Sequence, residues 1–294
     1  MITVTGGTGT VGAQLARRLL AEGAQVRVLT RDPARAAGLL GDNRDLELVR
    51  VDFDDPDSLR TGLRGSDRAF LSTGTSPRQV RDEKALIDAA AEAEVGHLVN
   101  LSVGGAGGQI ANNVLEWHTE IDRYLAAREL DATVIRPATF LDSILRVASG
   151  FVPTGTWGGH AGAGQAAFID SRDVADVGAV ILREGAERHA GKVYDLTGPE
   201  PVTMPELAAL LSAELGATVR YHDRTRAGQR AVLESAGLPP LQVEVLLGLD
   251  DLTRIGLFAM PAPTVHALTG QHPRPVAQLL TESLAAFVSP ALVG

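Results

Sequence analysis

Cysteine is absent from this 294-residue sequence, which excludes disulfide bonds, thiolate chemistry and cysteine-based metal sites. Blocks of basic residues are also absent, and the formal net charge is −9. Nucleic acid is therefore not expected as a partner, because contacts with phosphates require clustered lysine and arginine. No apolar run is long enough to cross a membrane, and the first residues predict a strand instead of a signal peptide. We expect a cytoplasmic protein.

Lysine is scarce, because Lys84 and Lys192 are the only two and the other basic residues are arginines. A catalytic lysine could therefore come from only two positions. The histidines show no close ligand spacing, so no metal site is predicted. The hydrophobic content of 45% is normal for a globular protein. The length allows one large domain or two unequal ones.

The most informative stretch is a glycine-rich turn near the start of the chain. The β-branched run Met1–Thr5 predicts a strand, and apolar residues at helical spacing from Gln14 to Leu20 predict a helix. Between them, residues 6–12 fit both G-x-G-x-x-G and G-x-x-G-x-x-G. Such glycines permit a tight bend and let the backbone approach a pyrophosphate, which the start of the helix attracts. We predict dinucleotide binding here; the alternative is an ordinary glycine-rich turn.

The end of the second predicted strand, residues 25–29, indicates which dinucleotide binds. An NAD site usually has an acidic residue there for the ribose hydroxyls, but Thr30 and Arg31 occupy the place. Arg31, helped by Arg35, could pair with a 2′-phosphate, so NADP(H) is favoured over NAD. Asp32 comes one residue late and precedes a proline, which predicts a turn or a helix cap. The alternative for Arg31 is a solvated surface arginine.

Strands continue to alternate with helices along the first half of the chain. Further strands are predicted at residues 46–51, 68–72, 97–102 and 132–136, and a late one at 192–196. This alternation predicts an α/β fold with a doubly wound parallel sheet, whose ligands bind at the carboxyl ends of the strands. At one such end, Asp52 could accept a hydrogen bond from adenine or could cap its own turn.

The regular alternation fails from about Leu141. A glycine-rich loop over residues 150–164 contains Trp157 and His160, either of which could touch a substrate. The pattern predicts a short strand at 218–221, and helices at 204–215, 227–236, 241–258 and 275–287. Thr203 and Glu206 form a predicted capping box at the first of these helices. This last third is expected to form a small, mostly helical lid over the carboxyl edge of the sheet.

Several motifs together resemble the NmrA-like, atypical branch of the short-chain dehydrogenase/reductase superfamily. They are Thr5–Gly12, Leu101–Ser102, Arg136–Phe140, Asp170–Ala175 and Tyr194–Pro199. The resemblance covers nearly the whole chain and implies a Rossmann domain, NADP(H) as the cofactor and a C-terminal substrate region. Members of the family include quinone reductases and azo-dye reductases, and others are redox-sensing regulators with no known reaction.

We place the Rossmann core at residues 1–140 and the substrate-binding lid region at 141–294, with 165–200 returning to the core. The predicted cofactor contacts lie in the glycine turn and at the ends of the strands that follow. They are Gly6, Gly7, Thr8, Gly9, Thr10, Val11, Gly12, Thr30, Arg31, Asp52, Phe53, Ser72, Thr73, Gly74, Pro137 and Phe140.

The sequence departs from the reductase pattern at the proton donor. Typical short-chain reductases carry Tyr-x-x-x-Lys on the helix after the fifth strand, where the lysine lowers the tyrosine pKa. The matching helix has no lysine here, and its tyrosine, Tyr124, comes too late after Ser102. His118 is the best remaining donor, because imidazole titrates near neutral pH; a structural histidine is the competing interpretation. Ser102 could bind a substrate carbonyl or could only satisfy its own loop.

These observations favour an NADPH-dependent reductase of a small conjugated or aromatic carbonyl or quinone-type substrate. The alternative is an NADP(H)-binding, redox-sensing regulator without turnover, which the missing Tyr-x-x-x-Lys would suit. An isomerase that keeps its cofactor bound is a third hypothesis. The expected partner is a small-molecule substrate, and the protein is expected to be a monomer or a homodimer.

Overall fold

Strands and helices alternate along the part of the chain that the computed structural model describes, residues 1–110 and 112–283. In chain order the strands are β1 (Ile2–Thr5), β2 (Val26–Thr30), β3 (Leu46–Arg50), β4 (Arg68–Leu71), β5 (His97–Leu101), β6 (Ala132–Pro137), β7 (Gly158–Gly159), β8 (Gln165–Ala166), β9 (Val193–Leu196), β10 (Val202–Thr203) and β11 (His222–Asp223). The helices are α1 (Thr10–Ala21), α2 (Pro33–Leu40), α3 (Pro56–Leu63), α4 (Gln79–Glu92), α5 (Asn113–Ala126), α6 (Leu141–Phe151), α7 (Ser171–Glu184), α8 (Ala186–His189), α9 (Met204–Leu215), α10 (Arg226–Ser235), α11 (Pro240–Arg254), α12 (Thr264–Thr269) and α13 (Val276–Ser283).

One seven-stranded sheet organises the molecule. Its strand order is β3-β2-β1-β4-β5-β6-β9, and every neighbouring pair is parallel. The chain reverses its direction of travel across the sheet between β3 and β4, so β1 and β4 are neighbours at a switch point. In open α/β sheets, ligands bind in the crevice outside the carboxyl ends of the strands at such a point. The predicted doubly wound parallel sheet is confirmed.

Helices cover both faces of the sheet, because its central strands carry apolar side chains on both sides. On one face α1 packs against α7, and Leu15 and Val177 are fully buried beside Val28. On the other face α3, α4 and α5 pack side by side, and Leu59 and Leu86 are fully buried. Each such leucine contributes roughly 1.5–3 kcal/mol by its burial. These two cores hold the strand ends in fixed positions.

The C-terminal region has an apolar core of its own. It joins α6, α9 and α13 to the segment around Phe168 and to Phe258. The predicted capping box at the start of α9 is confirmed, because Thr203 and Glu206 bond each other's backbone amides. Segment 165–200 contributes α7 and β9 to the sheet layer. No described helix is long and apolar enough to cross a membrane.

Three predictions for the last third need correction or completion. The alternation of strands and helices does not fail at Leu141, because helix α6 begins there and buries Leu141, Leu145 and Ala148 at helical spacing. Small residues near the end of α6 obscure this apolar pattern in the sequence. The strand predicted at 218–221 is wrong, because the described pairing is that of β11 with β7. A two-residue strand leaves too little alternation to recognise. The helix predicted at 275–287 is present as α13, and residues 284–287 lie outside the described part.

Candidate functional site

The glycine turn between β1 and α1 is built by close contacts between backbone segments. Gly6 has φ +64°, a left-handed conformation, and a Cβ there would lie 2.6 Å from the Ser72 carbonyl oxygen. A Cβ at Gly12 would lie 2.3 Å from the Gly6 carbonyl oxygen, so α1 can begin this close to the turn only with glycine. Gly9 is exposed, and a Cβ on it would have only the Gly6 carbonyl oxygen nearby, at 3.2 Å. The backbone at Gly9 is therefore open to an approaching ligand.

The start of α1 offers hydrogen-bond donors to an anion. Its N-cap is Gly9, which has no side chain to cap the helix, and its first turn contains no acidic residue. The amides of the first helical turn lack intrahelical partners in any α-helix, and the N-cap of α1 supplies no side-chain hydrogen bond to them within the described part of the chain. The helix dipole adds partial positive charge at the same place. This turn therefore fits the pyrophosphate of a dinucleotide.

Three arginines lie beside the carboxyl ends of β2 and β3. Arg31 follows β2, Arg35 lies in the first turn of α2, and Arg50 ends β3 directly opposite Thr30. All three are exposed, and none forms an ion pair with a described residue. Asp32 accepts the Arg35 amide at 3.0 Å, which confirms its predicted role as a helix cap. Arg50 is not among the residues predicted to contact the cofactor, although its place near the end of a predicted strand is a usable signal.

The next two strand ends hold their loops in different ways. Asp52 accepts the Asp54 amide at 2.9 Å, so it does cap its own turn; a contact with adenine stays a prediction. Phe53 is half-buried beside this turn. Thr5 bonds both the amide and the carbonyl of Ser72, at 2.9 and 3.0 Å. These bonds fix the loop that begins at Ser72, and continues through Thr73 and Gly74, against the glycine turn.

The end of β6 lies beside the loop that follows β5. The Gly104 amide donates to the Pro137 carbonyl at 2.8 Å, and a Cβ at Gly104 would lie 2.8 Å from the Phe258 ring. Phe140 is half-buried and pairs with Ile169 in an isolated β-bridge. The described structure therefore brings the C-terminal region onto the carboxyl edge of the sheet at this place.

The two predicted catalytic residues lie in buried polar surroundings. His118 is 8% exposed, and burial lowers its pKa to about 4. The expectation that its imidazole titrates near neutral pH is therefore wrong: the ring is neutral at pH 7, because desolvation disfavours the charged form. Ser102 donates its hydroxyl hydrogen to Asp122 at 2.9 Å. That hydrogen is not available to a substrate carbonyl, although the oxygen can still accept.

Asp122 is a buried member of this site that sequence reasoning missed. Arg136 holds one of its carboxylate oxygens through two nitrogens at 2.9 and 3.1 Å, and Asn100 donates to the other at 3.3 Å. Burial raises the pKa of Asp122, while the bonds from Arg136 and Ser102 oppose the rise. The available signal was spacing, since His118 and Asp122 are four residues apart and share the buried face of α5.

A second polar group packs against His118 from α4. Gln79 and Glu83 are buried one helical turn apart, on the face of α4 that also buries Leu86 and Ile87. The Gln79 amide nitrogen lies 3.2 Å from His118 Nε2 and 3.2 Å from Glu83 Oε1. Polar residues at apolar positions of a helix were the signal for this pair.

Other residues considered from the sequence have internal structural contacts. Tyr124 donates to Asp88 at 2.6 Å, so it stays a packing or surface tyrosine. Trp157 is buried and packs edge-on against Tyr221 with ring centroids 5.4 Å apart. His160 is buried between the carboxylates of α11, with Nε2 2.7 Å from Asp251. Trp157 and His160 are therefore held by structural contacts, and a contact of either one with a substrate stays a prediction. The described residues contain no cluster of three or more side chains suited to a metal ion.

Comparison with known proteins gives matches over nearly the full length. A reductase of (4-alkanoyl-5-oxo-2,5-dihydrofuran-3-yl)methyl phosphate from Streptomyces griseus subsp. griseus is 34% identical, over 98% of this chain and 99% of the relative. The NAD(P)H azoreductase of Xenophilus azovorans is 30% identical, again over 98% of this chain and 99% of the relative.

A solved structure supports the same relationship. The NADPH-dependent quinone oxidoreductase of Escherichia coli, crystallised with NADPH, superimposes with a TM-score of 0.88 at 27% sequence identity. The alignment covers 97% of this chain and all of that one. The model of the NmrA-like family matches residues 1–235. Together with the glycine turn and the parallel sheet, these matches show that the chain belongs to the NmrA-like family.

Proposed function

We propose that this protein is an NADPH-dependent reductase of a small conjugated acceptor, a carbonyl or quinone-type compound. The observation that carries the proposal is the uncapped start of α1, which follows a glycine turn too tight for side chains. A helix start without an acidic residue or a side-chain cap is suited to phosphate, not to an apolar partner. Three arginines at the next strand ends, none of which forms an ion pair with a described residue, add a place for a third phosphate.

The cofactor is NADP(H), and the residues present fit it. Gly6 to Gly12 would hold the pyrophosphate, and Arg31, Arg35 and Arg50 would surround the 2′-phosphate. When bound, NADPH supplies the hydride. The protein then binds and orients the reactants and stabilises the charge that develops on the substrate oxygen. Because the His118 ring is neutral, it serves as a hydrogen-bond donor and not as a charged acid.

We infer that the substrate lies beside the loop that follows β5, where apolar side chains favour a conjugated or aromatic compound. Leu257 and Phe258 pack against the loop at Gly104 and Gly105. A Cβ on Gly104 would lie 2.8 Å from the Phe258 ring, and a Cβ on Gly105 would lie 2.8 Å from the Leu257 side chain. Half-buried Val103 packs against the same apolar core. The names of the relatives point the same way, since azo compounds, quinones and an oxo-dihydrofuran are all unsaturated electron acceptors.

The test of this proposal is stoichiometric turnover. Purified protein would be mixed with NADPH and a panel of quinones, enones, unsaturated lactones, azo dyes and simple ketones. We expect NADPH oxidation, followed at its absorbance band, to match product formation one to one for at least one conjugated acceptor. Simple saturated ketones serve as the internal comparison and should react more slowly. Absence of turnover with every conjugated acceptor would overturn the proposal.

A second candidate is an NADP(H)-binding sensor without turnover. Neither residue expected to donate a proton is placed as an acid at pH 7, because the Ser102 hydroxyl bonds Asp122 and burial lowers the pKa of His118 to about 4. A sensor predicts that NADPH and NADP⁺ change the affinity for a partner protein by different factors. Pull-down experiments with each cofactor, paired with the turnover panel, would separate this candidate from the reductase.

A further inference from the structure

A chain of buried polar side chains links the loop after β4 to α5. Thr73 donates a hydrogen bond to Glu83 Oε1 at 2.6 Å, and Gln79 Nε2 lies 3.2 Å from the same oxygen. The same Gln79 nitrogen lies 3.2 Å from His118 Nε2. Glu83, Gln79 and His118 are 0%, 2% and 8% exposed, so water does not compete for these contacts. None of the contacts belongs to the regular backbone pattern of either helix.

The direction of these hydrogen bonds follows from the chemistry of the groups. Glu83 Oε1 accepts from Thr73, so the Gln79 atom that faces it has to be the amide nitrogen. The opposite amide orientation would place two acceptor oxygens against each other. With its two hydrogens, Gln79 Nε2 donates both to Glu83 and to His118. A neutral imidazole that accepts at Nε2 carries its own hydrogen on Nδ1.

The charge states agree with this arrangement. Burial lowers the pKa of His118 to about 4, so the ring is neutral. Burial raises the pKa of Glu83 to about 7, although the bonds from Thr73 and Gln79 oppose the rise. Asp122 is the other ionisable group that acts on Glu83, and Arg136 pairs with it. Any proton on Glu83 belongs on Oε2, because Oε1 already accepts from two donors.

His118 Nδ1 is buried and has no hydrogen-bond partner among the described residues. Buried polar atoms in proteins nearly always find a partner, and those without one call for an explanation. An N–H held in this position can donate only to a group that enters the site. A substrate oxygen that gains negative charge during reduction is an acceptor of that kind.

We propose that Gln79 is a positioning residue that fixes His118 in the tautomer with hydrogen on Nδ1, with Glu83 as its anchor. The imidazole then presents an N–H donor to the oxygen of the substrate. This proposal rests on the proposed reductase function. The Nδ1 hydrogen stays on the ring throughout, and the proton that completes the reduced product comes from water.

The sharpest test exchanges the two α4 side chains, Gln79→Glu together with Glu83→Gln. The exchange keeps composition and formal charge but reverses the hydrogen bonds, because a carboxylate beside His118 accepts where the amide donated. Protein labelled with ¹⁵N-histidine reports the tautomer through the chemical shifts of the two ring nitrogens, and His118→Phe assigns the signals. We expect Nδ1–H in the natural protein and Nε2–H in the exchanged one. An Nε2–H ring in the natural protein, or an unchanged Nδ1–H ring in the exchanged one, would overturn the proposal.

A single substitution and a matched control distinguish a change of the His118 tautomer from misfolding of the exchanged protein. Gln79→Leu removes both donors, so the His118 tautomer should no longer be uniform. Gln278→Glu changes the same residue type in an exposed Gln–Glu pair of identical spacing on α13, and it should leave the His118 signals unchanged. If Gln79→Leu keeps a uniform Nδ1–H ring, Gln79 does not set the tautomer.

Kinetics then distinguish this inference from the proposed function. The exchanged protein should lose about tenfold or more in kcat, with KM and the NADPH dissociation constant nearly unchanged. A tautomer that reverses while kcat is unchanged would refute the role in catalysis. If no substrate is ever turned over, the reductase proposal fails, and the tautomer measurement still decides what Gln79 does.

Discussion

Replacing Arg31 by alanine should weaken NADPH binding selectively. The guanidinium is exposed and has no ion pair with a described residue, so the substitution leaves no buried charge behind. A charge-assisted bond to phosphate contributes roughly 1.5–3 kcal/mol when well formed, and solvent reduces this at an exposed site. Arg35 and Arg50 remain nearby and retain part of the attraction. We therefore expect a loss of about 1–1.5 kcal/mol, which is about five- to twelvefold in the dissociation constant.

Fluorescence titration of both cofactors measures this effect. The natural protein should bind NADPH at least about tenfold more tightly than NADH, and Arg31→Ala should narrow the gap by weakening NADPH alone. Arg44→Ala is the matched control, because the Arg44 side chain is 92% exposed and precedes the amino end of β3, away from the strand ends where we propose that the cofactor binds. Equal losses for NADPH and NADH in Arg31→Ala would refute the assignment, since NADH has no 2′-phosphate. High salt should reduce the NADPH preference by screening.

Three further predictions address the glycine turn and the buried polar groups. Gly9→Val should abolish NADPH binding while the circular dichroism spectrum stays unchanged, and retained affinity in the folded variant would mean that the motif is only a turn. His118→Ala and His118→Phe should each lower kcat by about a hundredfold, as expected for loss of one donor to the substrate oxygen, while the affinity for NADPH stays nearly intact. If both variants turn over at the natural rate, positioning of the two reactants alone is sufficient for the reaction. Glu83 is protonated more readily in the folded than in the unfolded chain, because its pKa rises from 4.5 to about 7. Its contribution to folding stability therefore declines as pH rises through that interval, by about 3 kcal/mol in total. Glu83→Gln should flatten this decline in denaturant titrations between about pH 4.5 and 7, and an unchanged slope would contradict the prediction.

Much of the fold could be predicted because its determinants are local. The glycine turn, the apolar strands and the helices between them are patterns of a few consecutive residues, and the parallel sheet follows from their alternation. The cap at Asp32 and the capping box at Thr203 could be predicted for the same reason. Helix α6 was missed because small residues near its end hide a short apolar pattern.

The scaffold and the glycine turn follow from short stretches of sequence, whereas the protonation and hydrogen bonding of the candidate catalytic groups depend on the tertiary structure. His118 is neutral because α4 and α5 bury it together, and no local pattern shows that loss of solvent. Ser102 donates to Asp122 because the loop after β5 meets α5, and the two residues are twenty positions apart in the chain. Arg50 joins Arg31 because β3 pairs with β2 in one register. Desolvation and long-range pairing are properties of packed neighbours, so they first exist once the chain has folded.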